Sequence, residues 1–216
     1  YSPTMFLPHR ITEDCFAPLC TDIPAPTAES AGPSHNRILQ RALDLAALSP
    51  QSPDYHTHLD ALCRFVFGDE ERMLDLARRT LNPEDFIAIG SRMIGDGAIG
   101  GRAAGLVLAR RILRRDEAFD CDRHIEPDDP WYVGADVFCT YLFDNDLWEQ
   151  YTRPQVADEP LTHAARLRER ILAGSFSETM RQQFRTVLDY FGQSPLIVRS
   201  SSILQDSFRG AFAGKY

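Results

Sequence analysis

Apolar residues between positions 36 and 48 recur three and four apart, at Ile38, Leu39, Ala42, Leu45, Ala46 and Leu48, which is the spacing of one helix face. The polar run "SPQSPD" ends that helix, and Asp54 is the expected cap of the next. Leu59, Leu62, Cys63, Val66 and Phe67 then form a second apolar stripe that stops at Gly68. A third helix is predicted over residues 69–81, with Glu70 and Glu71 in its first turn and Arg78 and Arg79 in its last, the order a helix dipole favours. Asn82 and Pro83 read as the N-cap and first residue of a short fourth helix. The first 90 residues are thus predicted to be mainly helical.

The far end of the chain is patterned as clearly. Residues 160–172 make a basic amphipathic helix that ends before Gly174. Ser177 caps another, whose Met180, Phe184, Val187, Leu188 and Phe191 share the spacing of one buried face until Gly192. After "GQSP", the run Leu196, Ile197 and Val198 is short, apolar and rich in β-branched residues, the signature of a buried strand that surfaces at Arg199. Residues 21–34, "TDIPAPTAESAGPS", lack large apolar side chains apart from Ile23 and read as a linker. The expected class is α+β: a helix-rich N-terminal region over residues 1–90, containing that linker, followed over residues 91–216 by a part with a small sheet.

Composition narrows the functions available. Of the 216 residues 44% are hydrophobic and 25% charged, the balance of a folded globular chain. The formal net charge of -8 argues against a nucleic-acid surface, because a polyanion needs neutralising cations. No apolar run reaches the length of a membrane span and the N-terminus lacks a basic-then-apolar leader, so the expected location is the cytoplasm, without a membrane partner. Five scattered cysteines, Cys15, Cys20, Cys63, Cys121 and Cys139, form no CxxC pair and read as reduced structural residues. His56 and His58 lie two apart on a helix and point in different directions, so no metal site is expected there. Lysine and arginine total 23, and Lys215 is the one lysine among them. A compact point charge retained where every other cation is a planar fork singles out Lys215.

Two stretches carry candidate chemistry. "IGDGAIGGRAAGLVLARRILRR", residues 94–115, sets glycines ahead of a helical run, so that backbone amides and the positive helix end can face an anion. The spacing is neither a Walker A nor a dinucleotide pattern, and a tightly packed turn is the plain alternative. Arg102 falls in the first turn of that helix. The closing "VRSSSILQDSFRGAFAGKY" delivers Arg199, Ser200, Ser201 and Ser202 to a loop that ends in small residues, a set able to surround polyphosphate. Between them lies an acidic cluster that includes Asp136 and Asp144. A loose run of acids is usually solvated, but Trp131, Tyr132, Phe138 and Phe143 imply burial close by.

"LIVRSSSILQDSFRGAFAGKY" resembles the VRSSATxED…SFAGQ segment of the nucleotide-binding domain of phosphoenolpyruvate synthases and pyruvate phosphate dikinases, an ATP-grasp variant. "IGGRAAGL" is similar to that family's GGKxxxL element, in the expected order, and "DPWYVGADVFCTYLFDNDL" resembles a segment of uncharacterised members of the superfamily. The resemblance implies an ATP-grasp-like first subdomain over residues 91–216, ATP as ligand, and an ATP-binding set of Arg199, Arg102, Gly100, Gly101, Ser200, Ser201, Asp206, Gly214 and Lys215. It implies ATP-dependent phosphoryl transfer through an enzyme histidine to pyruvate or a related acceptor, with Mg2+ held by acidic ligands outside this stretch. The second nucleotide-binding half, the phosphohistidine domain and the pyruvate barrel of such enzymes would follow Tyr216, so the chain is expected to be a front piece, inactive alone. Two departures bear on competence. The family lysine of GGK is Arg102 here, and the glutamate before Asp206 is Gln205. A related phosphotransferase with an antibiotic or glucan acceptor, and a regulatory module with a degenerate nucleotide site, remain the alternative readings.

Overall fold

The computed structural model describes residues 36–125, 129–152 and 160–201. Four helices follow one another at its start: α1 Arg37–Ala46, α2 Pro53–Phe67, α3 Glu71–Thr80 and α4 Pro83–Ser91. Strand β1, Met93–Ile94, leads through a glycine turn into α5, Gly100–Arg115, then α6, Cys121–His124, and strand β2, Tyr132–Val133. Helices α7 Ala135–Asp144, α8 Trp148–Thr152, α9 Pro160–Ala173 and α10 Glu178–Phe191 complete the order. Helices with one small sheet make the class α+β.

The helix ends follow local chemistry, with one correction. Asn36 caps α1 through the amide of Leu39, and Asn82 and Asp85 close a reciprocal capping box on α4 with Pro83 at its first position. Helix α2 is capped by Ser52 rather than Asp54. Pro53, with its fixed φ and no N–H, suits the first helical position and pushes the cap one residue back, leaving Asp54 to favour the dipole in the first turn. Glu70 caps α3, accepting from Met73 N–H.

Two compact units are distinguished by their contacts. In the larger, to which the described residues from 36 to 138 and from 176 to 201 belong, one core joins α1 to α5. Ile38, Leu45, Leu62, Val66, Leu74, Phe86 and Leu108 have less than 2% of their surface exposed, and each contributes about 1.5–3 kcal/mol by leaving water. Ile99, Ala104 and Leu108 belong to this core, so the glycine turn and α5 are built on the N-terminal helices. Strands β1 and β2 pair in parallel, Met93 opposite Tyr132 and Ile94 opposite Val133, and a parallel pair requires a crossover, here α5 and α6. In the smaller unit, the described residues 139–152 and 160–175 gather around Tyr141, Leu142 and Leu147, packed by Trp148, Tyr151, Leu167 and Ile171. The Tyr141 hydroxyl donates to the Ile171 carbonyl at 2.6 Å, and Phe143 stacks on Trp148 with ring centres 4.5 Å apart.

Two expectations fail in the larger unit. Leu196, Ile197 and Val198 are not a buried strand: no strand pairs with them among the described residues, and Ile197 and Val198 are 88% and 94% exposed. An apolar run makes a strand only where a ladder partner and a covering face exist, and neither is present there. Helix α10 has the expected boundaries, but none of its residues is fully buried and Leu188 is 56% exposed. Gln183 meets the glycine turn, and Tyr190 bonds Asp129, packs against Trp131 and lies under the Arg92 guanidinium.

Candidate functional site

The glycine turn, residues 95–99, is fastened on several sides. Gly134 N–H donates to the Ile94 carbonyl at 2.9 Å, and Ala135 N–H to that of Ala98 at 3.0 Å, extending the strand pairing past β1 and β2. The Ile99 amide reaches the Val66 carbonyl on α2 at 3.1 Å. The Asp96 carboxylate accepts the Arg37 amide at 2.8 Å and pairs with its guanidinium, tying the turn to the start of α1. The Gly95 amide donates to Gln183 on α10 at 3.2 Å. The turn amides of Asp96 and Gly97 donate to the carboxylate of Asp136 in the first turn of α7.

The turn ends where α5 begins, and there the two sequence motifs meet. Ile99 stands at the N-cap position and supplies no side-chain cap. Ser201 supplies it from almost a hundred residues away. Its hydroxyl accepts the Ala103 amide at 3.0 Å and donates to the Ile99 carbonyl at 2.9 Å. Arg102 donates from Nη1 to the Ser200 carbonyl at 3.3 Å. Gly100 has φ +76, in the left-handed region that glycine favours, and a Cβ there would fall against the Ser201 carbonyl. That close approach is what lets the closing segment lie on the helix end.

Of the residues expected to bind ATP, the structure therefore brings together Gly100, Gly101, Arg102, Ser200 and Ser201. Arg199, next in the chain, is exposed. Asp206, Gly214 and Lys215, with Ser202 and Gln205, lie outside the described residues. Ser201 caps α5, because a first-turn amide needs an acceptor and the Ile99 side chain has none to offer.

Electrostatics separates the carboxylates. Burial pushes the Asp136 carboxyl above its ordinary range, with the Asp96 and Gly97 amides opposing the shift. Asp144 is exposed, as a solvated acid should be, and its neighbour Phe143 is 48% exposed; Phe138, two residues from Asp136, is 43% exposed, so the expected aromatic burial is not met at either ring. Away from the turn, Cys63 has no exposed surface, and burial raises its thiol to about 12. No group of three His, Cys, Asp or Glu among the described residues is arranged to hold a metal ion. Asp136, whose oxygens accept from the backbone amides of Asp96 and Gly97, is a poor candidate ligand for Mg2+. No described helix is long and apolar enough to cross a membrane.

Sequence reasoning overlooked Asp96 and Gln183. For Asp96 a signal existed, since an acid directly beside a glycine turn often takes a nearby helix amide. For Gln183 none did, because its partner is 88 residues away.

A glycine turn thus leads into a helix that carries Arg102 in its first turn, with the Ser200–Ser201 segment laid against the helix end. The family model of the pyruvate phosphate dikinase AMP/ATP-binding domain matches residues 97–216, more than half of the chain, and the chain belongs to that family. The match begins within the glycine turn and includes both motifs. No similar curated protein and no similar solved structure was found.

Proposed function

We propose that the chain supplies the phosphate-binding face of an ATP-dependent phosphotransferase of the phosphoenolpyruvate synthase and pyruvate phosphate dikinase type. The observation that carries the reading is the junction of Arg102 and the α5 N-terminus with Ser200 and Ser201, made by motifs 98 residues apart and lying inside the family match. Arg102 and Arg199 neutralise phosphate charge. Gly101 lets the phosphates approach the backbone, Gly100 admits the Ser201 carbonyl to the helix end, and Ser200 and Ser201 hold the segment that carries Arg199. Asp206, Gly214 and Lys215 complete the set, Lys215 restoring the point charge that Arg102 replaces. In phosphoryl transfer such groups act by positioning and by stabilising charge, not by covalent chemistry. An enzyme histidine then takes the phosphoryl group and passes it to pyruvate or a related acceptor, with Mg2+ held by acidic ligands outside this stretch.

Calorimetric titration with ATP and Mg2+ tests the reading. The wild-type chain should bind, and Arg199→Ala should weaken binding by about tenfold, as the loss of one charge-assisted hydrogen bond predicts. Arg168→Ala, a change at an exposed position in the smaller unit, should not. Absent binding by the wild type, or equal affinities for the two variants, overturns the assignment.

A further inference from the structure

Asp136 is held in a manner that a solvated or metal-binding acid would not need. Its Oδ1 accepts the Gly97 amide at 2.7 Å and the Asp96 amide at 2.9 Å, and its Oδ2 lies 3.0 Å from the same Asp96 nitrogen. The walls around it are glycine backbone. A Cβ on Gly97 would lie 2.7 Å from the Asp136 nitrogen and 2.9 Å from Oδ1, and one on Gly134 would press on Oδ1 and lie 2.6 Å from the Gly97 nitrogen. The carboxylate therefore fits one conformation of the turn. It also occupies the amides of Asp96 and Gly97, which a turn binding phosphate through its own backbone would leave open. Phosphate contact is thereby shifted to the helix end and the arginines, three residues further on.

We propose that Asp136 is a positioning residue of the nucleotide site: it sets the shape of the glycine turn, and through it the orientation of the α5 N-terminus and Arg102, without touching the nucleotide. The inference rests on the phosphate-binding reading given above. The neutral isostere Asp136→Asn keeps one acceptor and removes a charge that burial disfavours, so the fold survives. Its Oδ1 can still accept from both turn amides, but the NH2 group that replaces Oδ2 is set N–H against N–H at the Asp96 nitrogen, 3.0 Å away, and this loosens the turn.

The test is titration of the full chain with ATP and Mg2+ in three forms: wild type, Asp136→Asn, and Leu59→Ala, a cavity in the α2 core that lowers stability without touching the turn. Asp136→Asn should lose about tenfold in affinity, the scale of one hydrogen bond to a charged group. Leu59→Ala should bind within about twofold of wild type at a temperature where circular dichroism shows both variants folded. Amide exchange at Asp96 and Gly97 should accelerate in Asp136→Asn alone. Affinity of Asp136→Asn within twofold of wild type, or an equal loss in Leu59→Ala, overturns the proposal. If Asp136→Asn does not fold, Gly97→Ala attacks the same contact from the other side and should show the same loss, and unchanged affinity there overturns it equally. Failure of the wild type to bind ATP sinks the phosphate reading and this inference with it, whereas binding by wild type and Asp136→Asn alike sinks only the role of Asp136.

Discussion

Replacing Gly100 by alanine should unseat the closing segment from the start of α5. The backbone at Gly100 has φ +76, which costs an L-residue about 1–2 kcal/mol. The new Cβ would lie against the Ser201 carbonyl oxygen and 2.7 Å from both its carbonyl carbon and its hydroxyl, so Ser201 has to move. With it go the hydrogen bonds to the Ala103 amide and the Ile99 carbonyl, about 1 kcal/mol each. The stiffer unfolded chain returns about 0.4–1 kcal/mol. The net expectation is a loss of about 3 kcal/mol. Gly105, five residues along the same helix, is the matching control: nothing lies within 4 Å of a Cβ built there, so Gly105→Ala should stabilise by about 0.5–1 kcal/mol. The two tryptophans fall in different compact units, Trp131 in the larger and Trp148 in the smaller. Urea unfolding followed by tryptophan fluorescence in a Trp148→Phe background thus reports on the unit that holds the site. A Gly100→Ala midpoint equal to that of the parent, or Gly105→Ala destabilised as much as Gly100→Ala, would refute the reasoning.

Three further outcomes are expected. Lys215→Ala should weaken ATP binding well beyond the effect of Arg168→Ala in the same titration, by about tenfold if it contacts phosphate, and equal affinities would remove Lys215 from the site. Asp60 accepts hydrogen bonds from Arg64 and Arg78, and although burial opposes them these hold its carboxyl below the usual range. Because its side chain is 38% exposed, Asp60→Ala should cost only about 0.5–1 kcal/mol, less at molar salt, and the contribution should vanish as pH falls below the ordinary aspartate value near 4. A denaturation series that shows no salt dependence would contradict this. The buried Cys63 thiol titrates near 12 when folded and near 8.5 when unfolded, so between those values the folded chain holds the extra proton. Stability should therefore fall as pH rises above about 9, by up to about 1.4 kcal/mol per pH unit. Cys63→Ala should flatten that slope, and an unchanged slope would show that other groups cause it.

Local patterns were legible wherever a few neighbouring residues decide the outcome. The boundaries of α3, α4 and α10 lie close to their expected places, because capping side chains, proline at the first helical position and glycine after the last act within one turn. The candidate site was legible as two motifs but not as one object. Neither the residues near Gly100 nor those near Ser201 reveal that a hydroxyl from one caps the helix of the other. Leu196 to Val198 show the converse, since a strand-like composition cannot supply its own ladder partner. Asp136 had the same composition as its acidic neighbours, and only its enclosure by glycine backbone sets it apart.

What the sequence alone determined here is the order of the first five helices and of the last two, the α+β class and the two family-bearing motifs, while α6, α7 and α8 were not read from it. Each follows from periodicity, caps or residue identity over a short span. What the tertiary structure decided is which amides each carboxylate and hydroxyl receives: Asp136 on the turn, Asp96 on α1, Ser201 on α5. Those pairings join residues about 40 to 100 positions apart, and a buried amide takes whatever acceptor the packed core brings within 3 Å of it.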